Sequence, residues 1–276
     1  MDKRLNIFNG IRPAMDLTGQ FGLLLSSGIA IIPTALFIYF SLKLVYHKLE
    51  DKKLYFMLGL ALFTGVLVGV FQTFMGAYVR ESGELFIILA IAVLFSLFDN
   101  LFKIILLNLE RYRTKPETTF YGVCFSLTGT MVVALHGFRE VAQEMNSPNI
   151  LVLIVGYFIF LFAAIAYHAA MGIYNGYYSS LGKFWTFSHI SRVTLISLPF
   201  NGLIFFWYYS SHLDLISVSI GLTYSLVILY VIMKKYFPMS LPKDEQKKLT
   251  SSFPWKKDHR NRKSLGQRFK EISERD

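Results

Sequence analysis

Seven stretches of the 276-residue chain are apolar over about 20 residues or more, the length a helix needs to cross the roughly 30 Å hydrocarbon layer of a bilayer. They run approximately over 21–46, 54–79, 85–107, 119–138, 150–178, 185–209 and 215–235. Inside that layer the backbone finds no water, so each span must satisfy its own hydrogen bonds as a helix. Composition agrees: 54% of residues are hydrophobic and 17% charged, with a mean hydropathy of +0.45. Soluble domains carry about 25% charged residues, so an ordinary soluble enzyme is excluded. The expectation is an all-α membrane protein, a polytopic bundle of about seven transmembrane helices. It has three parts: a short N-terminal segment over 1–20, the bundle over 21–235, and a basic C-terminal tail over 236–276.

The charges are unevenly placed. Of 28 lysines and arginines, 13 lie in residues 234–276 with 6 of the 18 acidic residues, so that segment carries +7 of the net +10. Connections 43–53 and 108–118 are also basic, through Lys43, Lys48, Lys52, Lys53, Arg111, Arg113 and Lys115, whereas 80–84, 139–148 and 210–214 supply only Arg80 and Arg139. The positive-inside bias then places the C-terminus in the cytoplasm and, with an odd number of spans, the N-terminus outside. Lys3, Arg4 and Arg12 run against the N-terminal assignment. The address expected is the cell membrane of a prokaryote, multi-pass. Within the tail, Lys247, Lys248, Lys256, Lys257, Arg260, Arg262 and Lys263 stand beside Phe253 and Trp255, a pattern drawn to anionic lipid head groups. No folded nucleic-acid-reading module accompanies that charge, so nucleic acid is not an expected partner.

A charge inside a bilayer is expensive, so ionisable residues within spans are candidates for function. Asp99, Asn100 and Lys103 stand together in the third span, His136 in the fourth, His168 and Asn175 in the fifth, and His189, Arg192 and Asn201 in the sixth. Asp99 and Lys103 are four residues apart and share a helix face, as do His189 and Arg192, three apart. By the expected topology Asp99, His168, His189 and Arg192 occupy the same half of the membrane, so one polar cluster could gather them. His168, Gly172 and Gly176 form a further face of small residues, suited to a close-packed helix. Pro199, Asn201 and Gly202 are expected to disturb the middle of the sixth span, as a kink or as a break lining a cavity. The single cysteine, Cys124, excludes a disulfide framework and a cysteine-based metal site. No cofactor is expected; the one metal alternative is zinc held by Asp99, His168 and His189 with an open fourth position.

Three of these stretches together resemble the PrsW group of intramembrane proteases, relatives of the CAAX-processing and bacteriocin-processing membrane enzymes. Asp99-Asn100-Leu101-Phe102-Lys103 stands where that family carries Glu-Glu-x-x-Lys. Pro116 to Gly122 is similar to the family's loop ending in Tyr-Gly. His168 to Gly176 is similar to its His-rooted helix with glycines four apart. The resemblance covers about residues 85–207 and implies a protease scaffold in which paired glutamates activate water. Here one carboxylate remains at Asp99 and an amide stands at Asn100. The expected later Glu-Asn pair reads Val133-Ala134, and the later histidine is replaced around Asn201 and Phe205. The leading expectation is therefore a PrsW-like membrane protein without normal glutamic protease activity that binds membrane segments or membrane partners, with Asn100, Asn175, His189, Arg192 and Asn201 as binding candidates. The alternative is a divergent intramembrane endopeptidase using Asp99 with His168, and Lys103 beside them.

Overall fold

The computed structural model describes residues 31–39, 49–82, 84–143, 150–182, 186–210 and 215–241. Regular structure among the described residues is entirely helical. The helices are α1 (31–39), α2 (Asp51–Ser82), α3 (Leu85–Leu107), α4 (Thr118–Gln143), α5 (Ile150–Ser180), α6 (Phe187–Ser210) and α7 (Leu215–Ser240). Five of them, α2, α3, α5, α6 and α7, are long and apolar enough to cross a membrane. The segment over 1–20, most of the first expected span, and the tail beyond residue 241 lie outside the described residues.

Periodicity explains how these helices meet. On α3 the buried residues are Ile88, Ile91, Ala92, Phe95, Ser96, Asp99, Asn100, Lys103, Ile104 and Leu107, recurring every three or four positions as one helix face. Leu85, Phe86, Leu89, Val93, Leu94 and Ile105 are exposed on the other side. Large apolar side chains facing outward suit lipid rather than water. The same division holds on α2, where Tyr55, Phe63 and Phe74 face out and Met57 and Ala61 are buried.

Three apolar clusters hold the bundle together. The largest joins α4, α5, α6 and α7 around Leu127, Leu161, Tyr167, Met171, Val193 and Phe200. A second sets Val68 and Val79 of α2 and Ile91 and Phe95 of α3 against Phe205 of α6. A third gathers Met57, Ala61, Leu107, Tyr112, Tyr121 and Phe125 at one end. There the loop before α4 is pinned: the Tyr112 hydroxyl donates to the Lys53 carbonyl over 2.9 Å, and the Thr118 hydroxyl donates to the Tyr112 carbonyl. Burial pushes the Tyr112 phenol above its usual range.

Glycines let α4 and α5 touch backbone to backbone. A Cβ at Gly122 would lie 2.4 Å from the Gly172 carbonyl oxygen, one at Gly172 2.5 Å from the Gly122 oxygen, and one at Gly176 2.6 Å from the Thr119 Cα. The Gly172–Gly176 face, offered above as a surface for a close-packed helix, is thus filled by α4 of the same chain. α6 runs through Pro199 as one helix, so the break entertained for the sixth span is not formed there. Proline lacks the N–H for one rung of the ladder, but the turns on either side continue.

Candidate functional site

Asp99, Asn100 and Lys103 all fall on the buried face of α3, and that placement sets their partners. The Lys103 ammonium donates to the Asp99 carboxylate one turn below it, a pair almost wholly removed from solvent. The same ammonium lies 3.3 Å from Nδ1 of His168 on α5. A lysine ammonium can only donate, so Nδ1 accepts and the neutral imidazole carries its proton on Nε2. Tyr167 and Phe200 stand edge-on to that imidazole.

Beside the trio is a small cavity lined by Thr64 and Gly65 of α2, Asp99 and Lys103, Ser126 of α4 and His168. The space open to the centre of a water molecule is about 20 Å³. That is room for roughly one water, in a pocket polar enough to hold it. The Ser126 hydroxyl is buried and has no hydrogen-bond partner among the described residues. A carboxylate, an ammonium, an imidazole and a hydroxyl therefore border a space the size of a water molecule, with no room for a peptide.

Asn100 points elsewhere. Its amide Nδ2 donates to the Ser96 carbonyl at 2.8 Å and to the Ser197 hydroxyl of α6 at 2.7 Å, and its Oδ1 accepts from Asn175 Nδ2 of α5 at 3.2 Å. One turn along, Asn201 of α6 donates to the Ser96 hydroxyl at 2.8 Å. Ser96 and Ser197 in turn donate to carbonyls four residues back on their own helices. The result is a polar seam joining α3 to α6 and α5. Ser96, Ser197 and Ser126 escaped the sequence reading because serine is common in apolar helices. The usable signal was spacing, since Ser96 lies one turn from Asn100 and Ser197 one turn from Asn201.

His189 and Arg192 do not join this cluster. The His189 ring is buried at the start of α6 against Tyr174 and Tyr178 of α5, with centroids 5.5 and 4.5 Å away, while Arg192 is exposed. The single cluster of Asp99, His168, His189 and Arg192 is therefore divided, and the zinc set of Asp99, His168 and His189 is not assembled. Among the described residues no three histidine, cysteine or acidic side chains are grouped to hold a metal ion. Ala134, at the position of the family's second glutamate motif, is fully buried and its carbonyl accepts from the Tyr157 hydroxyl at 2.9 Å. Phe205, near where the resemblance would expect a second histidine, packs edge-on against Phe95. The side chains of Val133 and His136 lie outside the described part of the chain.

What the fold and site define is a class: a helical bundle with lipid-compatible outer faces, a buried ion pair and an amide seam. Comparison with protein families, with curated proteins and with solved structures finds no match for this chain.

Proposed function

We propose that the chain is a polytopic membrane protein on a PrsW-like scaffold that does not carry out glutamic protease chemistry and instead binds membrane segments. One observation carries the reading: the two positions that resemble the paired glutamates are both already engaged, one in an ion pair within α3 and the other in bonds between helices. Asp99 is neutralised by Lys103, and Asn100 bridges α6 and α5. Hydrolysis of an amide needs a base free to take a proton from water and a route to the leaving amine. A second carboxyl able to share a proton is missing from position 100. The face for a membrane segment is not the glycine face of α5, which α4 occupies. The open face along the first half of α7 fits better, formed by Leu215, Ile216, Ser219, Ile220, Thr223 and Tyr224. Ser219 and Thr223 are small residues one turn apart, which allows close approach of another helix in lipid. The test is photo-crosslinking of single-span peptides to the protein in liposomes. Capture should survive Asp99→Asn combined with Lys103→Met, which strands no charge, and fall when Thr223→Leu adds bulk to that face. Capture lost with the double variant and kept with Thr223→Leu would refute this assignment.

A second reading has its own support in the shared cavity. Asp99 and His168 border one water-sized space, so a divergent intramembrane endopeptidase would use Asp99 to draw a proton from that water and the His168 imidazole to donate to the developing oxyanion. Lys103 would have to release Asp99 first. Under this reading the purified protein cleaves a single-span substrate, and Asp99→Asn combined with Lys103→Met, which strands no charge, and His168→Ala each abolish cleavage while leaving the fold intact.

A further inference from the structure

His189 and Arg192, left out of the Asp99 cluster, belong to a second constellation at the end of the bundle where α5 and α7 finish and α6 begins. Tyr174, Tyr177 and Tyr178 come from the last turns of α5, and Tyr236 from the last turns of α7. Their rings form one cluster, tilted or edge-on to one another: Tyr174 lies 4.9 Å from Tyr178 and 5.0 Å from Tyr236, and Tyr177 lies 5.4 Å from Tyr236. His189 is 2% exposed beneath Tyr174 and Tyr178, and among the described residues neither of its ring nitrogens has a hydrogen-bond partner. Leaving such a polar ring unsatisfied in a buried place is costly, so an absent partner is the simplest account of it.

Two cations flank the cluster. Arg192 stands three residues after His189 on α6, about one turn along the same face, and the Lys235 ammonium sits 5.2 Å from the centroid of the Tyr236 ring. Among the described residues no carboxylate pairs with either. A buried imidazole able to donate, tyrosine rings and two unpaired cations make an anion site. Its depth indicates which anion. α5, α6 and α7 are all long and apolar enough to span, and all three have this end in common. Arg192 is the sixth residue of α6 and Lys235 the sixth from the end of α7, about 8 Å along each helix from its terminus, within reach of the interface by extension of the side chain. Lipid phosphates lie at that level, and basic pockets between helix ends are the usual protein partner for them.

We propose that this site binds the phosphate of an anionic phospholipid, with Arg192 and Lys235 holding the charge and His189 donating to a phosphate oxygen. The site is distinct from the tail as a source of lipid attraction. It rests on the membrane reading alone and is independent of what the Asp99 cavity does.

Native mass spectrometry of the full-length protein, extracted from liposomes of phosphatidylcholine with phosphatidylglycerol, would count retained anionic lipids. Arg192→Gln and Lys235→Gln are each expected to lower phosphatidylglycerol retention about fivefold, the effect of roughly one basic contact at a lipid surface. His189→Phe keeps the ring cluster and removes the nitrogens, so it should lower retention without lowering the melting temperature. Neutralising Lys247 and Lys248 of the tail should leave the loss caused by the three site variants undiminished. Retention that survives all three site variants and falls with the tail variant would overturn the proposal. So would binding of inorganic phosphate by the lipid-free protein that abolishes lipid retention, since the site would then serve a free anion.

Discussion

Asp99 and Lys103 are opposite charges buried one helical turn apart, and such pairs are asymmetric in energy. Removing one partner strands the other charge, at roughly 3–5 kcal/mol, whereas replacing both with apolar or neutral groups of similar size is often neutral. Lys103→Met alone is thus expected to destabilise the protein strongly in detergent, and Asp99→Asn combined with Lys103→Met to recover most of the loss in the same thermal unfolding measurement. Equal destabilisation by the single and double variants would mean that the pair does not act as a unit. At Asn100 a different cost applies, because Asn100→Ala leaves Ser197 and Asn175 without their partner. A loss of about 1–3 kcal/mol in unfolding free energy is expected. These residues were legible in the sequence because polar groups in an apolar run stand out. Asp99–Lys103 was readable as a pair from spacing alone. The partners across helices were not, since no periodicity says which helix faces which, and His189 was grouped with Asp99 for want of the tyrosines that claim it.

Helix α5 is the element around which the others are arranged, with α4 on its glycine face and α7 along its other side. Gly122→Ala or Gly172→Ala would drive a methyl group to within about 2.5 Å of a backbone carbonyl oxygen, which cannot yield as a side chain could. Either change should lower the melting temperature markedly. Gly59→Ala on α2 is the matched control, since a Cβ there meets nothing within 4 Å and alanine is the better helix former by up to about 1 kcal/mol. It should be neutral or mildly stabilising. A melting temperature for Gly172→Ala equal to that of Gly59→Ala would contradict the close contact. The glycine spacing was readable as a packing face, but whether its occupant belonged to the same chain was not. Helix interiors were also legible, because apolar runs are long and unambiguous. Their ends were less so: α2 extends to Ser82 and α7 to Ser240, each past the expected boundary, because helices continue into polar residues beyond the hydrocarbon-length stretch.

At the scale of the whole molecule, polar chemistry among the described residues is divided into three places: a water-sized cavity at Asp99, an amide seam between α3, α5 and α6, and a tyrosine and cation cluster at one end. The overall class was evident from hydropathy, since long apolar helices with apolar outer faces leave little choice of solvent. Function was not, because it depends on whether Asp99 is free to act, and that is decided by where Lys103, Asn100 and His168 meet in space. The most direct measurement is cleavage of a panel of single-span substrates by the purified protein in liposomes, beside its Asp99→Asn with Lys103→Met double variant and its His168→Ala variant. The account predicts no cleavage by any of the three, with single-span segments still crosslinked to the wild type. Cleavage by the wild type that disappears in both variants would contradict it and establish Asp99 and His168 as the working parts of a protease.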